Sequence, residues 1–170
     1  MSSLMLSKRL YKSEVYTNEF KIEGKLEPMG EIVTAFSDKR RNCMTMYEVT
    51  MTPISAYNPL SAISVPELVI SKRDIAFVCL LDSSDYTDIR LLANIVPLTA
   101  YLPPFVLKAE FHMGGEMRTR DFVDTVTAEF IAVTNALFFP LVSPKAQLPP
   151  NRPFVLLNKN FIQLYYGESK

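Results

Sequence analysis

FKIEGKLE, residues 20–27, alternates without a break. Phe20, Ile22, Gly24 and Leu26 fall on one face, and Lys21, Glu23, Lys25 and Glu27 on the other. A period of two predicts a half-buried β-strand with its apolar side inward. Eighty-five positions later, FVLKAEFH (105–112) repeats the phase, with Phe105, Leu107, Ala109 and Phe111 on one face. Val106, Lys108, Glu110 and His112 take the other. The small residue sits at the same place in both, Gly24 and Ala109, which predicts a bend or a close crossing neighbour.

The match extends in both directions. Tyr16 pairs with Tyr101, each ahead of a short turn, TNE in one copy and LPP in the other. Gly30-Glu31 matches Gly115-Glu116, Thr34 matches Thr119, and one inserted residue brings Phe36 onto Phe122. MTMYEVT (44–50) and FIAVTNA (130–136) both read as strands, and each is followed by a long Pro-containing loop, 51–65 and 137–152. The last segments are PELVISKRDIAFV (66–78) and PFVLLNKNFIQLY (153–165), 87 positions apart. In each, two apolar runs flank a polar stretch, Ser71-Lys72-Arg73-Asp74 or Asn158-Lys159-Asn160, which predicts a tight β-hairpin. The shared order, spacing and phase predict a tandem duplication of a unit of about 65 residues.

Each unit then holds about five short strands, and a sheet that small buries its apolar face by curling into a barrel without exposed edges. The expected fold is all-β: two tandem small five-stranded SH3/Sm-like barrels packed as a pseudo-symmetric pair. The first repeat is 1–81, the connector DSSDYTDIRLL is 82–92 with a short helix after Asp85, and the second repeat is 93–170. LLANIVPLTAY (91–101) supplies the second unit's first strand, and its Pro97 marks an edge or a bulge.

EVYTNEFKIEGKLEP (14–28), GEMRTRDFV (115–123), FIAVTNA (130–136) and LLNKNFI (156–162) carry a resemblance. The chain resembles an uncharacterised bacterial family of small β domains, here as a tandem duplication. Those domains open on a strand pair of the type V-Y-T-x-x-F-x-I-x-G-x-L and end on a run of the type L-N-K-x-x-I. The first copy departs from the pattern in its middle segment, GEIVTAFSD, and its third strand lacks the T-x-A. The resemblance implies a fold and carries over no functional residue.

Lys+Arg and Asp+Glu are both 18. The balance is even along the chain, ten of each sign in residues 1–82 and eight of each in 83–170. Nucleic-acid binding draws most of its affinity from phosphate contacts on a basic stripe, and none is evident. Lys39-Arg40-Arg41 follows Asp38 and reads as a solvated loop. Two isolated cysteines, Cys43 and Cys79, fit a reducing compartment and read as small apolar packers. The first sixteen residues lack the apolar stretch of a signal peptide, and no run is long enough to span a membrane, so the expected location is cytoplasmic.

Catalysis by a nucleophile and a base needs a histidine, and the only one, His112, is expected on the outward face of a strand. Zinc needs three or four clustered ligands. Asp121 and Asp124, with Glu116 near, are the best carboxylate pair for acid–base or magnesium chemistry, yet Thr119 or Asp121 at a helix start is ordinary capping, and capping or solvation is the expected role of the pair. The glycine turns at 29–31 and 113–116 lack phosphate-loop spacing. The expectation is no enzymatic activity, no cofactor and no metal.

What remains is apolar loop surface. In the second loop this is Leu137, Phe138, Phe139, Leu141 and Val142; in the first it is Tyr57 and Leu60, with Ile54 and Ile63. Long apolar loops pack on something. Either they plug or join the barrels, or they bind another protein or another copy. The expected function is a non-enzymatic interaction or assembly subunit acting through these residues. The alternative is a regulatory module binding nucleic acid or a small ligand between the barrels.

Overall fold

A computed structural model describes residues 9–115 and 117–167. The first half contributes β1 (Tyr11–Tyr16), β2 (Phe20–Glu27), the short helix α1 (Ile32–Ser37), β3 (Cys43–Pro53), β4 (Ile63–Ser71) and β5 (Phe77–Leu80). The second contributes β6 (Asn94–Leu102), β7 (Phe105–Met113), α2 (Phe122–Thr125), β8 (Phe130–Pro140), β9 (Asn151–Asn158) and β10 (Leu164–Gly167). β2 occupies the alternating octet with which the sequence opens, and Ile22 and Leu26 are buried as its pattern requires. The β1–β2 turn is closed by Thr17, whose Oγ1 accepts the Phe20 amide at 2.9 Å.

All ten strands form one antiparallel sheet in the order β10-β6-β7-β8-β9-β5-β1-β2-β3-β4. The fold is all-β, but the sheet is open and the two expected barrels are not separately closed. Closure of the first half would set β5 against β4; β5 instead lies between β1 and β9. The reason is legible in the strands themselves. FVCL of β5 and FVLL within β9 are apolar on both faces, and a strand of that kind needs cover on both sides. β5 and β9 have it because they lie side by side between the two cores: Phe77, Cys79, Val155 and Leu157 pack into one, and Val78, Leu80, Phe154 and Leu156 into the other. The same pairing overturns the expected hairpins. Lys72–Asp74 and Lys159–Phe161 are single 3-10 turns, and the runs on either side of each pair with other strands.

Each half has its own core, and each core takes side chains from the other half. Around β2, β3 and α1 the core includes Phe36, Met46 and Ile75, with Phe130, Phe154 and Leu156 from the second half. Around β6, β7 and β8 it includes Phe105, Phe111 and Phe122, with Tyr16, Ile54, Phe77 and Cys79 from the first. The connector is pinned down as well: Ser83–Asp85 forms a 3-10 turn and Tyr86 stacks on Phe154, centroids 5.2 Å apart.

The two halves bend at matching places. The β2–β3 register slips between Glu23 and Lys25, opposite Glu48, whose φ is 52°. The β7–β8 register slips between Lys108 and Glu110, opposite Asn135, whose φ is 50°. Bulges of this kind bend a strand and increase its twist, which lets each run of five strands wrap a core. The short helices end alike. Lys72 Nζ donates to the carbonyls of Ala35 at 3.1 Å and Asp38 at 2.6 Å, and Lys159 Nζ donates to that of Val126. Pro97 of β6 sits one residue beyond the stretch paired with β10, where its missing amide costs no ladder bond.

Gly24 has the close neighbour that its smallness predicts. A Cβ there would come within 2.8 Å of the Tyr47 carbonyl oxygen, a backbone atom that cannot swing aside. Gly24→Ala is therefore expected to destabilise the fold by about 1–3 kcal/mol through overpacking. Urea unfolding checks this, and an unchanged midpoint would refute the close approach.

Candidate interaction surface

The two Pro-containing loops are tied to each other. Ser55 and Pro144 form a bridge, the Ala56 amide donates to Ser143 O at 2.8 Å, and the Lys145 amide donates to Ile54 O at 2.7 Å. Lys145 Nζ donates to Leu60 O at 3.0 Å and also to Asn58 O. Local turns shape the tip: Ser55 Oγ accepts the Tyr57 amide at 3.1 Å, and Asn58 Oδ1 accepts that of Leu60 at 3.0 Å. Ile54 is buried in the second core. Joining the halves is thus one job of these loops.

The expected surface residues divide. Tyr57 is 88% exposed, and Leu60, Leu141 and Phe139 are about half exposed. Leu137, Phe138 and Phe139 lie in β8, which runs on to Pro140, so they belong to a strand and not to the loop. Alternation then sends Leu137 and Phe139 outward and Phe138 inward. Phe138 is 8% exposed and stacks on Phe77, centroids 4.8 Å apart, so it is core and not surface. Val142 is half-buried against the second core. Leu141 and Val142 border an open groove of about 530 Å³ that Asn18, Pro103, Pro104 and Phe161 complete. A second groove of about 440 Å³ shares Asn18 and Phe161 and reaches Leu68 and Ile70 of β4.

Sequence reasoning missed a buried ionic cluster where the halves meet. Glu14 of β1 is 2% exposed; Arg152 of β9 donates to its Oε1 from Nε at 2.7 Å, and Lys21 of β2 lies 3.2 Å from its Oε2. The Tyr16 hydroxyl donates to the same oxygen at 3.2 Å. Lys21, expected on an outward face, is covered by the second half's loop and donates to Gln147 O at 2.6 Å. The signal was present: Lys21 and Glu14 stand 85 positions ahead of the uncharged Val106 and Thr99.

The remaining candidates spread out. His112 is half-buried on the far side of β7; its Nε2 is 2.8 Å from Thr134 Oγ1 and its Nδ1 3.2 Å from Leu92 O. Asp121 and Asp124 are exposed, and the start of α2 has no side-chain cap, so capping is not their role. Glu116 lies outside the described residues. Cys43 is exposed at the start of β3, contrary to its expected packing role, and Cys79 is fully buried. Among the described residues no three His, Cys, Asp or Glu side chains share a possible metal position. Lys39, Arg41, Lys72 and Arg73 border one pocket of about 530 Å³ with Glu129. None of the described helices is long and apolar enough to cross a membrane. Comparisons of the chain with protein-family models, with curated proteins and with solved structures return no match.

Burial gives this region a pH dependence. It pushes the Cys79 thiol well above its ordinary value, with Glu14 adding to the effect. It pushes the Tyr16 hydroxyl above the tyrosine range too, with Cys79 and Glu14 adding. Both groups stay protonated in the fold after they would ionise in the unfolded chain. Their contribution is full below the unfolded pKa and is lost as pH climbs past about 9 for the thiol and about 10 for the phenol. Each group removes roughly 1.4 kcal/mol per pH unit in its window. Lys72, held below its ordinary value by burial, works in the opposite sense up to about pH 10. Cys79→Ala is therefore expected to unfold more easily than wild type at neutral pH but to lose less stability between about pH 9 and 10. Urea midpoints across pH check this, and parallel pH profiles would refute it.

Proposed function

We propose that the chain is a non-enzymatic assembly subunit, a tandem duplicate of one five-stranded unit, that associates with another protein chain through apolar surface. The observation that carries this reading is that large apolar side chains stand exposed on the tied loops and on both end strands of the sheet, beside others scattered over the surface. Tyr57, Leu60 and Leu141 stand on the tied loops, Val69 on one end strand of the sheet, and Leu164 and Tyr166 on the other. Apolar side chains on the open edges of a sheet invite pairing with another chain. The duplication is supported by the matched bulges at Glu48 and Asn135 and the matched lysines that end the helices. The strand order β5-β1-β2-β3-β4, repeated as β10-β6-β7-β8-β9, supports a likeness to small SH3- or Sm-like barrels left open at one seam. A role without catalysis is supported by the way Glu14 is held by Lys21, Arg152 and Tyr16. Two free thiols fit a reducing, cytoplasmic setting.

Sedimentation velocity across a concentration series tests the proposal, with Tyr57→Ser/Leu60→Ser/Leu141→Ser beside wild type. Wild type is expected to sediment as more than a monomer, and the folded variant is expected to shift toward lighter species. A wild type that stays monomeric at every concentration counts against self-association. One observation favours a second reading, a module for an anionic ligand: the pocket bordered by Lys39, Arg41, Lys72 and Arg73. Titration with a short single-stranded oligonucleotide tests it, and unchanged binding in Arg41→Ala/Arg73→Ala would remove its support.

A further inference from the structure

The middle of the sheet contains a junction whose two partners recur, unpaired, at its ends. β9 pairs with β5 through Val155 opposite Cys79, Leu156 opposite Val78 and Leu157 opposite Phe77. Just beyond, the Asn158 amide donates to Ala76 O at 2.8 Å. By the 87-residue offset, the counterpart of β9 is β4 and the counterpart of β5 is β10. β4 ends the sheet on one side and β10 on the other. Resting on the assembly reading above, we propose that the partner is a second copy of this chain. β4 of one copy pairs antiparallel with β10 of the next, repeating the internal β9–β5 junction.

The offset fixes the register. Leu68 stands opposite Tyr166, Val69 opposite Tyr165 and Ile70 opposite Leu164, and the Ser71 amide meets the Gln163 carbonyl. Burial at the two kinds of site differs in the way this pairing requires. Leu156, Phe77 and Cys79 are essentially inaccessible within the internal junction. Their counterparts at the free ends, Val69, Leu164 and Tyr166, are 60%, 50% and 49% exposed. Long apolar edges are ordinarily blunted or covered, and here the cover is the complementary edge of another copy.

Three further features are compatible with that joint. Pro153 lies two residues ahead of the paired stretch of β9, and Pro66 lies two residues ahead of Leu68, so its missing amide falls outside the pairing. The ionic residues Glu14, Lys21 and Arg152 are replaced at the counterpart positions by Thr99, Val106 and Val65, so the new junction buries no ion. Glu67 stands where Phe154 packs, but beyond the three paired residues and at the rim. The loops fit as well. In the internal junction Ser143–Lys145 meets Ile54–Ala56. The same offset brings Ala56–Asn58 of one copy to Leu141–Ser143 of the next, placing exposed Tyr57 opposite Val142. The contact is head to tail, so repetition yields a ring or an open filament.

Cysteine pairing reads the register directly. In a Cys43→Ser background, chains carrying Val69→Cys are mixed with chains carrying Tyr165→Cys under a mild oxidant. The mixture is expected to form a covalent dimer that neither chain forms alone, and Val69→Lys is expected to return the sedimenting species to the monomer while leaving circular dichroism unchanged. Suppose the chain associates, yet the cysteines stay unlinked and Val69→Lys changes nothing. The edge pairing is then overturned and the assembly reading survives. A chain monomeric at every concentration, with no cross-link, overturns the pairing and removes self-association from the assembly reading.

Discussion

Glu14→Ala is expected to destabilise the fold by about 3–5 kcal/mol, the usual cost of breaking a buried ion pair from one side. The carboxylate is 2% exposed and serves Arg152 at 2.7 Å and Lys21 at 3.2 Å. Without it, Arg152 of β9 and Lys21 of β2 lose the anion they share beside β5, which lies between β9 and β1, and Lys21 is covered by the loop carrying Gln147. The residues at the matching offsets of 85 and 87 positions suggest the control. Glu14→Thr/Lys21→Val/Arg152→Val installs the residues that Thr99, Val106 and Val65 supply at the counterpart positions. Replacing a whole buried ionic group with well-packed apolar side chains is often neutral or stabilising, so the triple variant is expected to keep or recover most of the stability lost by the single one. Urea unfolding of both decides the matter. A single variant within about 1 kcal/mol of wild type would mean that the cluster is solvated and of little structural weight.

The parts of the fold that the sequence announces are those whose burial is set locally. β2 and β7 are readable because one face of each packs on its own core, so alternation survives in FKIEGKLE and FVLKAEFH. Gly24 is readable for a related reason, since only a close backbone neighbour asks for so little volume at that point. The pairing of β4, β5, β9 and β10 is not local. An apolar run, a polar turn and another apolar run suit a hairpin and a corner equally, and the choice depends on which distant strand offers cover. The same limit hid that the sheet stays open: two barrels and one open sheet contain the same strands and differ only in which edges meet. Phe138 looked like loop surface because the aromatic it packs on, Phe77, is 61 residues away in the chain. Lys21 looked solvated because Gln147, which covers it, is 126 residues away.

The cores do not respect the expected division at 82–92, and this leads to the second large expectation. Residues 9–92 and 93–167, made separately, are each expected to lack cooperative unfolding. Cut off from its partner, the first half loses Phe130, Phe154 and Leu156 from its core, and its own Tyr16, Ile54 and Phe77 lose the core they enter. At about 1.5–3 kcal/mol for each large apolar side chain, six such losses come to about 9–18 kcal/mol. That is comparable to the whole stability of an ordinary domain, about 5–15 kcal/mol. β5 and β9 also become apolar edges with no ladder partner. An equimolar mixture of the halves is expected to regain near-ultraviolet circular dichroism and a sigmoidal urea transition, because β5 and β9 find each other again. A half that unfolds cooperatively alone would show that its five strands close on themselves without help, as the barrel expectation holds. Recovery only in the mixture would show instead that a unit of this type needs a neighbour on its edge. The intact chain supplies that neighbour once, between β5 and β9, and leaves β4 and β10 still without one.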